Sequence, residues 1–139
     1  MLIASKSGAK TIEEFSDLNH LEKALATRAA HRLKELGQIM AGSDATIEEK
    51  VNDIFALDIE IATRLHIQCI TFKMAYDAYK NHSFKDQRIK PLLNLLMKVF
   101  ALKLLSNDNE GLYEIGFFNF NSKRLITESM KHLLVQMRP

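Results

Sequence analysis

Residues 46–80 read TIEEKVNDIFALDIEIATRLHIQCITFKMAYDAYK. Along this stretch Ile47, Val51, Ile54, Leu65, Cys69, Phe72, Tyr76 and Tyr79 recur at helical spacing, with neither glycine nor proline between them. Thr46 and Glu49 form a capping box at its head, the hydroxyl and the carboxylate each satisfying a backbone N–H that the first turn leaves free. Asn81-His82-Ser83 closes it. The spacing predicts one helix over 46–80, about 50 Å long at 1.5 Å per residue. A helix of that length buries its stripe only against partners along its whole course. The segment therefore decides for a helical bundle.

Upstream, Leu18, Leu21, Leu25, Ala29, Leu33 and Leu36 make a second amphipathic stripe. Asn19 with Glu22 is read as its capping box and Gly42 as its terminator. Residues 1–15 are small and polar without a sustained period, and read as a loose N-terminal tail. Downstream, Lys85 to Lys90 is a charged connection, and Pro91 suits the first turn of a third helix, where a missing N–H costs nothing. That helix carries Leu92, Leu93, Leu95, Leu96, Val99, Phe100, Leu102, Leu104 and Leu105 on nearly all sides, which predicts a central, deeply buried element. Ser106 to Asn109 stops it. A short helical turn from Glu110 to Phe118 uses Gly111 and Gly116 for tight reversals. Ser122 is read as the cap of a last helix whose Ile126, Met130, Leu133, Leu134 and Met137 share a face. No run alternates with period two long enough to make a strand, and there is no internal repeat. The expected fold is all-α, a bundle of four main helices with one long helix and a short helical turn before the last.

Composition agrees. The 139 residues suit one domain, residues 16–139 once the tail is set aside. Five glycines and two prolines make roughly 5% of the chain against about 12% in an average protein, so turns are few. Nineteen basic and seventeen acidic side chains leave a net charge of +2. They alternate rather than segregate, so nucleic acid is not an expected partner. The single cysteine, Cys69, excludes an internal disulfide and suits a reducing compartment. The most apolar stretch, Leu92 to Leu105, is broken by Asn94, Lys98 and Lys103, and falls short of the ~18–20 apolar residues of a membrane span.

The chemical motifs are sparse. With Gly111 at the sixth position of a calcium loop, Ser106, Asp108 and Glu110 fall at the first, third and fifth. Phe117 then stands at the twelfth, where a bidentate carboxylate is required, so calcium is rejected. His66 and Cys69 share a helical face, but no second ligand pair accompanies them. His20, His31, His82 and His132 are scattered. No phosphate loop, dinucleotide fingerprint or nucleophile elbow occurs. Asp58 lies on or beside an apolar stripe and needs a partner; Arg28 or Arg32 serve if the first two long helices run antiparallel, giving a buried ion pair that fixes register. Phe117, Phe118 and Phe120 with Tyr113 form an aromatic cluster that either plugs the end of the bundle or makes a contact surface. Lys123 and Arg124 beside it read as a solvated helix face. A catalytic role would require Asp58 or Glu114 to work with a histidine. No catalytic, cofactor-binding or metal-ligating residue is assigned.

The segment Leu95-Leu96-Met97-Lys98-Val99-Phe100-Ala101-Leu102, followed by Glu110-Gly111 and Tyr113-Glu114-Ile115-Gly116, resembles the C-terminal helical domain of acyl-CoA oxidases. There a leucine-cysteine-x-leucine-tyrosine-alanine-leucine helix precedes a glycine-containing aromatic turn. A last helix then ends in an Arg-Pro pair, as Leu133 to Pro139 does here. Leu25-Ala26-Thr27-Arg28-Ala29-Ala30 is similar to the family's aromatic-arginine-alanine helix, and Asp58 to Phe72 to its long helix, with Leu65 in place of the alanine before the histidine. The resemblance spans about residues 16–139. It implies a piece of a peroxisomal flavoprotein that oxidises an acyl-CoA to the trans-2-enoyl-CoA and passes electrons from FAD to oxygen, giving hydrogen peroxide. The family's flavin-binding β-domain and catalytic glutamate lie upstream of the matched region. The chain is accordingly expected to be a structural, dimer-supporting domain or fragment, with no cofactor of its own. Its partners would be the remaining oxidase domains or a second subunit. The rival expectation is a free-standing helical adaptor for a partner helix or an apolar ligand, suggested by Met130 and Met137 beside the phenylalanines. Severed from its neighbours, the domain is expected to self-associate through Phe117, Phe118, Phe120 and the last helix.

Overall fold

The computed structural model describes residues 6–139, and the first residues of the expected tail, 1–5, lie outside them. Helix-starting side chains act where they are placed. Thr11 and Glu14 make a capping box for α1 (Ile12–Phe15), and Thr46 and Glu49 make one for α3 (Ile47–Glu49). Asp17 caps α2 (Leu18–Ala41), its carboxylate accepting from the N–H groups of Asn19 and His20. The cap thus falls two residues before Asn19, because a carboxylate at the N-cap reaches two free donors at once. Gly42 ends α2 in right-handed geometry, so no positive φ is involved.

The helix expected over 46–80 is interrupted. After α3, residues Lys50–Ile54 form a π-helical turn closed by the Phe55 N–H to the Lys50 carbonyl, and the long α4 runs only over Ala56–Asn81. Ile47, Val51 and Ile54, the first part of the stripe, are exposed. Without a partner to cover that end, nothing holds the helical register straight through it. Asn81 ends α4 as expected, and α5 (Ile89–Leu105), α6 (Glu110–Glu114) and α7 (Ser122–Gln136) complete an all-α bundle with no strand among the described residues. Ser122 is the first helical residue of α7 rather than its cap. Asn121 precedes it, and the Ser122 hydroxyl accepts from the Asn119 N–H.

The antiparallel pairing of α2 with α4 can be read from cross-links in opposite order. Asn19 meets Tyr76, Glu22 meets Lys73, Arg28 meets Gln68 and Arg32 meets Asp58. The element in the middle is α2, which packs against α1, α4, α5 and α6. Of α5, expected to be central, only Ala101, Leu102 and Leu105 are buried, while Ile89, Leu92, Leu96 and Phe100 face outward. Its all-round apolar character exceeds what this bundle covers. The core joins Leu21 and Leu25 of α2, Phe72 of α4, Leu102 and Leu105 of α5, Leu112 of α6 and Leu125 and Leu133 of α7. Each fully buried side chain of this kind contributes about 1.5–3 kcal/mol relative to exposure.

The segment expected to be a loose tail is docked over residues 6–15. Phe15 is fully buried against Phe118, and the Ser7 N–H donates to the Phe117 carbonyl. Phe117 and Phe118 are themselves 1% and 2% exposed, and Tyr113 meets Phe118 edge-on. The aromatic cluster is therefore an internal plug, not the exposed patch expected for self-association. Only Phe120, 96% exposed, stands outside it. Gly116, at φ +71°, supplies the left-handed step that turns the chain from α6 into this plug.

Candidate functional site

Polar chemistry gathers where α2, α4 and α6 meet. Arg28, His31, Arg32, Glu35, Asp108, Glu110 and Glu114 line a cleft of about 200 Å³ there, floored by Ile61 and Leu65. The i, i+3, i+4 and i+7 positions of α2 put Arg28, His31, Arg32 and Glu35 on neighbouring faces, and α6 brings Glu114 across from them.

Arg28 is 2% exposed. Its Nη1 donates to the carbonyls of Leu104 (2.7 Å) and Asn107 (2.9 Å), and its Nη2 donates to Gln68 Oε1 (2.7 Å). The Leu104 carbonyl belongs to the last turn of α5 and the Asn107 carbonyl lies two residues past its end, where the helix dipole is negative. Burial pulls the Arg28 pKa down and the nearby Asp108 carboxylate opposes it. Arginine retains its charge in such a setting.

Arg32 takes the role expected of either arginine. Its Nη2 lies 2.8 Å from Asp58 Oδ1, and its Nη1 lies 3.4 Å from Glu35 Oε2. The Asp58 side chain is 33% exposed, so the pair is half-solvated rather than buried. It still spans α2 and α4 and fixes their register, at the modest energy of a partly exposed ion pair.

Asp108 follows α5 at φ 49°, a left-handed position that Asp tolerates better than most residues. Its carboxylate is held by Arg64 Nη1 at 2.7 Å, and Arg64 also meets Glu60 at 3.1 Å. Both partners raise the Arg64 pKa, the Asp108 hydrogen bond most strongly.

Sequence reading left His31 among the scattered histidines, yet its Nε2 sits 3.4 Å from Glu114 Oε2 and 3.5 Å from Glu35 Oε1. Glu114, which acid–base work would pair with a histidine, meets one from 83 positions away. The local signal was the i,i+4 spacing of His31 and Glu35. Gly111 is part of the same arrangement: a Cβ there would lie 2.5 Å from His31 Cδ2. The absent side chain lets the imidazole close onto α6.

The other candidates are not brought together. His66 faces solvent and Cys69 is half-buried, where burial pushes the thiol pKa up and disfavours the thiolate. His20 is enclosed at the α1–α2 junction, with Nδ1 2.8 Å from the Phe15 carbonyl and Nε2 2.6 Å from Ser7 Oγ. His82 meets Phe84 edge-on, and His132 pairs with Gln136. Lys123 is exposed, and Arg124 pairs with Glu128 one turn along α7.

No helix among the described residues is long and apolar enough to cross a membrane. No curated protein and no solved structure matches the chain. A family model does: the one described as acyl-CoA oxidase matches residues 17–139, from the cap of α2 to the last residue. That match spans nearly the whole bundle, and the chain belongs to the acyl-CoA oxidase family.

Proposed function

We propose that this chain serves as the C-terminal helical domain of an FAD-dependent acyl-CoA oxidase, supporting its flavin and substrate domains and a second subunit without catalysing the reaction alone. Enzymes of this family depend on FAD and are peroxisomal in general. The observation that carries the reading is the family match over residues 17–139, set on a helical bundle that leaves apolar stripes uncovered. Ile67, Ile70 and Met74 make one such stripe on α4, and Ile89, Leu92, Leu96 and Phe100 another on α5. Stripes at helical spacing, left bare by their own bundle, suit contact with neighbouring domains.

The residues of the polar cleft do not fit a flavin dinucleotide. Its volume, about 200 Å³, lies below the ~300–1,000 Å³ of ordinary ligand pockets. Asp108, Glu110 and Glu114 line it where a diphosphate needs cations, and Arg28 already serves the end of α5. In the whole enzyme, FAD would supply the electron transfer that takes the acyl-CoA to the trans-2-enoyl-CoA. No part of that transfer is assigned to this chain's residues.

The burial of Phe117 and Phe118 withdraws part of the contact surface on which the adaptor alternative rests, leaving Phe120 and the partly exposed Met130 and Met137. The test is a peroxide assay of the purified chain with FAD and an acyl-CoA, together with sedimentation beside a family oxidase stripped of its own C-terminal helical domain. No peroxide and co-sedimentation are expected. Sustained turnover by the chain alone overturns the proposal.

A further inference from the structure

We propose that His31, Glu35 and Glu114 form a binding site for a divalent transition-metal ion, with Zn2+ as the type ion, linking α2 to α6. His31 and Glu35 stand one turn apart on α2, and Glu114 ends α6. One donor atom from each residue can be chosen so that all three lie within 4.8 Å of one another.

The distances favour coordination over hydrogen bonding. A good N–H···O bond measures about 2.9–3.0 Å. His31 Nε2 instead faces two carboxylate oxygens, at 3.4 and 3.5 Å, and one ring nitrogen carries at most one hydrogen to share between them. Two ligands bound at ~2.0–2.2 Å to one tetrahedral ion sit about 3.4 Å apart along the tetrahedron's edge. The imidazole nitrogen is therefore already spaced from each carboxylate as one ligand is from another, with the three donor atoms within 4.8 Å of one another.

The surroundings support the same reading. Arg32 engages Glu35 through Oε2 and leaves Oε1 to face the ring, as a supporting group orients a metal-binding carboxylate. Gly111 lets the His31 ring lie against the backbone of α6, so the ring's place is set by packing as well as by charge. A neutral imidazole and two carboxylates bring a charge of about −2 to a dication, and this mixed nitrogen–oxygen set suits zinc and its neighbours in the first transition row. The cleft beside Asp108 and Glu110 leaves room for a water as fourth ligand.

The experiment is calorimetric titration of the full chain with Zn2+, paralleled by visible absorption with Co2+, whose tetrahedral complexes colour strongly. One ion per chain is expected. Glu114→Gln, at a side chain 61% exposed and so tolerant of change, should weaken binding at least about tenfold, as should His31→Gln. His132→Ala, on the exposed face of α7, should leave binding unchanged. Circular dichroism checks that each variant keeps its helices; if His31→Gln does not, Glu114→Gln decides. Absence of binding to the unaltered chain overturns the proposal, and so does a Glu114→Gln affinity equal to that of the parent.

Discussion

The Arg28 guanidinium donates to the Leu104 carbonyl at 2.7 Å, so a buried charge on α2 closes the C-terminal end of α5. The same nitrogen reaches Asn107, and Gln68 of α4 takes the other end of the fork. One side chain thus ties together three helices through two backbone carbonyls and the Gln68 amide oxygen, the Leu104 carbonyl accepting from the Asn107 N–H as well. Arg28→Met keeps most of the stem's volume but takes the guanidinium donors away from the Asn107 carbonyl and Gln68. Each buried unsatisfied group costs about 1–3 kcal/mol, so urea denaturation should show a loss of about 2–4 kcal/mol. Arg28→Lys should recover only part of it, because a single ammonium cannot reproduce the planar fork. Equal stability of all three proteins would show that the contacts contribute nothing.

The closeness of His31 to Gly111 makes a second prediction in which the sign reverses with background. Gly111→Ala places a methyl 2.5 Å from the His31 ring, and the overpacking should destabilise by about 1–3 kcal/mol. In a His31→Ala background the obstruction is gone. There the same change should stabilise by up to about 1 kcal/mol, because alanine favours a helix over glycine. A double-mutant cycle measured by thermal unfolding reads the coupling directly. Additive effects would mean that the ring swings aside without cost.

Much of the fold was legible because the signals were local. The Thr46–Glu49 box, the stop at Asn81 and the fit of Pro91 to the first turn of α5 each depend on a few adjacent residues. What was missed depends on residues far apart. Phe15 is the buried residue of α1, and only the fold brings it against Phe118. The π-helical turn at Lys50–Ile54 falls where Ile47, Val51 and Ile54 stand exposed among the described residues, an exposure that spacing does not reveal. The antiparallel pairing that joins Arg32 to Asp58 was foreseen, but Arg28 went to backbone carbonyls that no side-chain pattern reveals. His31 and Glu114 belong to the same class, since their meeting is decided by the packing of α6 on α2.

A pH dependence follows from His20. Desolvation depresses its pKa most, the Phe15 carbonyl and Asp17 partly oppose this, and Lys23 adds to the depression. Nδ1 donates to Phe15 and Nε2 accepts from Ser7, so the neutral ring fits the site. As pH falls below the ordinary histidine value of about 6.5, the unfolded chain takes up the proton before the folded one does. His20 therefore contributes stability that is present above about pH 6.5 and lost as pH falls toward the folded value. Glu14 and Glu49, held low by their capping bonds, contribute only in the more acid carboxylate range. Denaturation midpoints between pH 5 and 8 should decline on the acid side for the parent and flatten for His20→Gln. An unchanged slope in that variant would assign the effect elsewhere.

The last prediction concerns association of the isolated chain. The surface that the plug of Phe117 and Phe118 withdraws from solvent is replaced by the outer side of α5. There Ile89, Leu92, Leu96 and Phe100 recur at helical spacing and are each at least 42% exposed. Contiguous apolar surface beyond a few hundred Å² drives association in water, and a symmetric dimer is the simplest closed outcome. Sedimentation at several concentrations should show a monomer–dimer equilibrium. Leu96→Asp places a charge in the middle of the stripe and should weaken it at least about tenfold, equivalent to 1.4 kcal/mol. Phe120→Asp alters a solitary exposed ring, so it should change association little. Phe118→Asp should instead unfold the chain, because it puts a carboxylate among Phe15, Phe117 and Tyr113 with no partner to offset its desolvation. A monomer at high concentration, unchanged by Leu96→Asp, would show that the bare side of α5 does not drive pairing between copies of this chain.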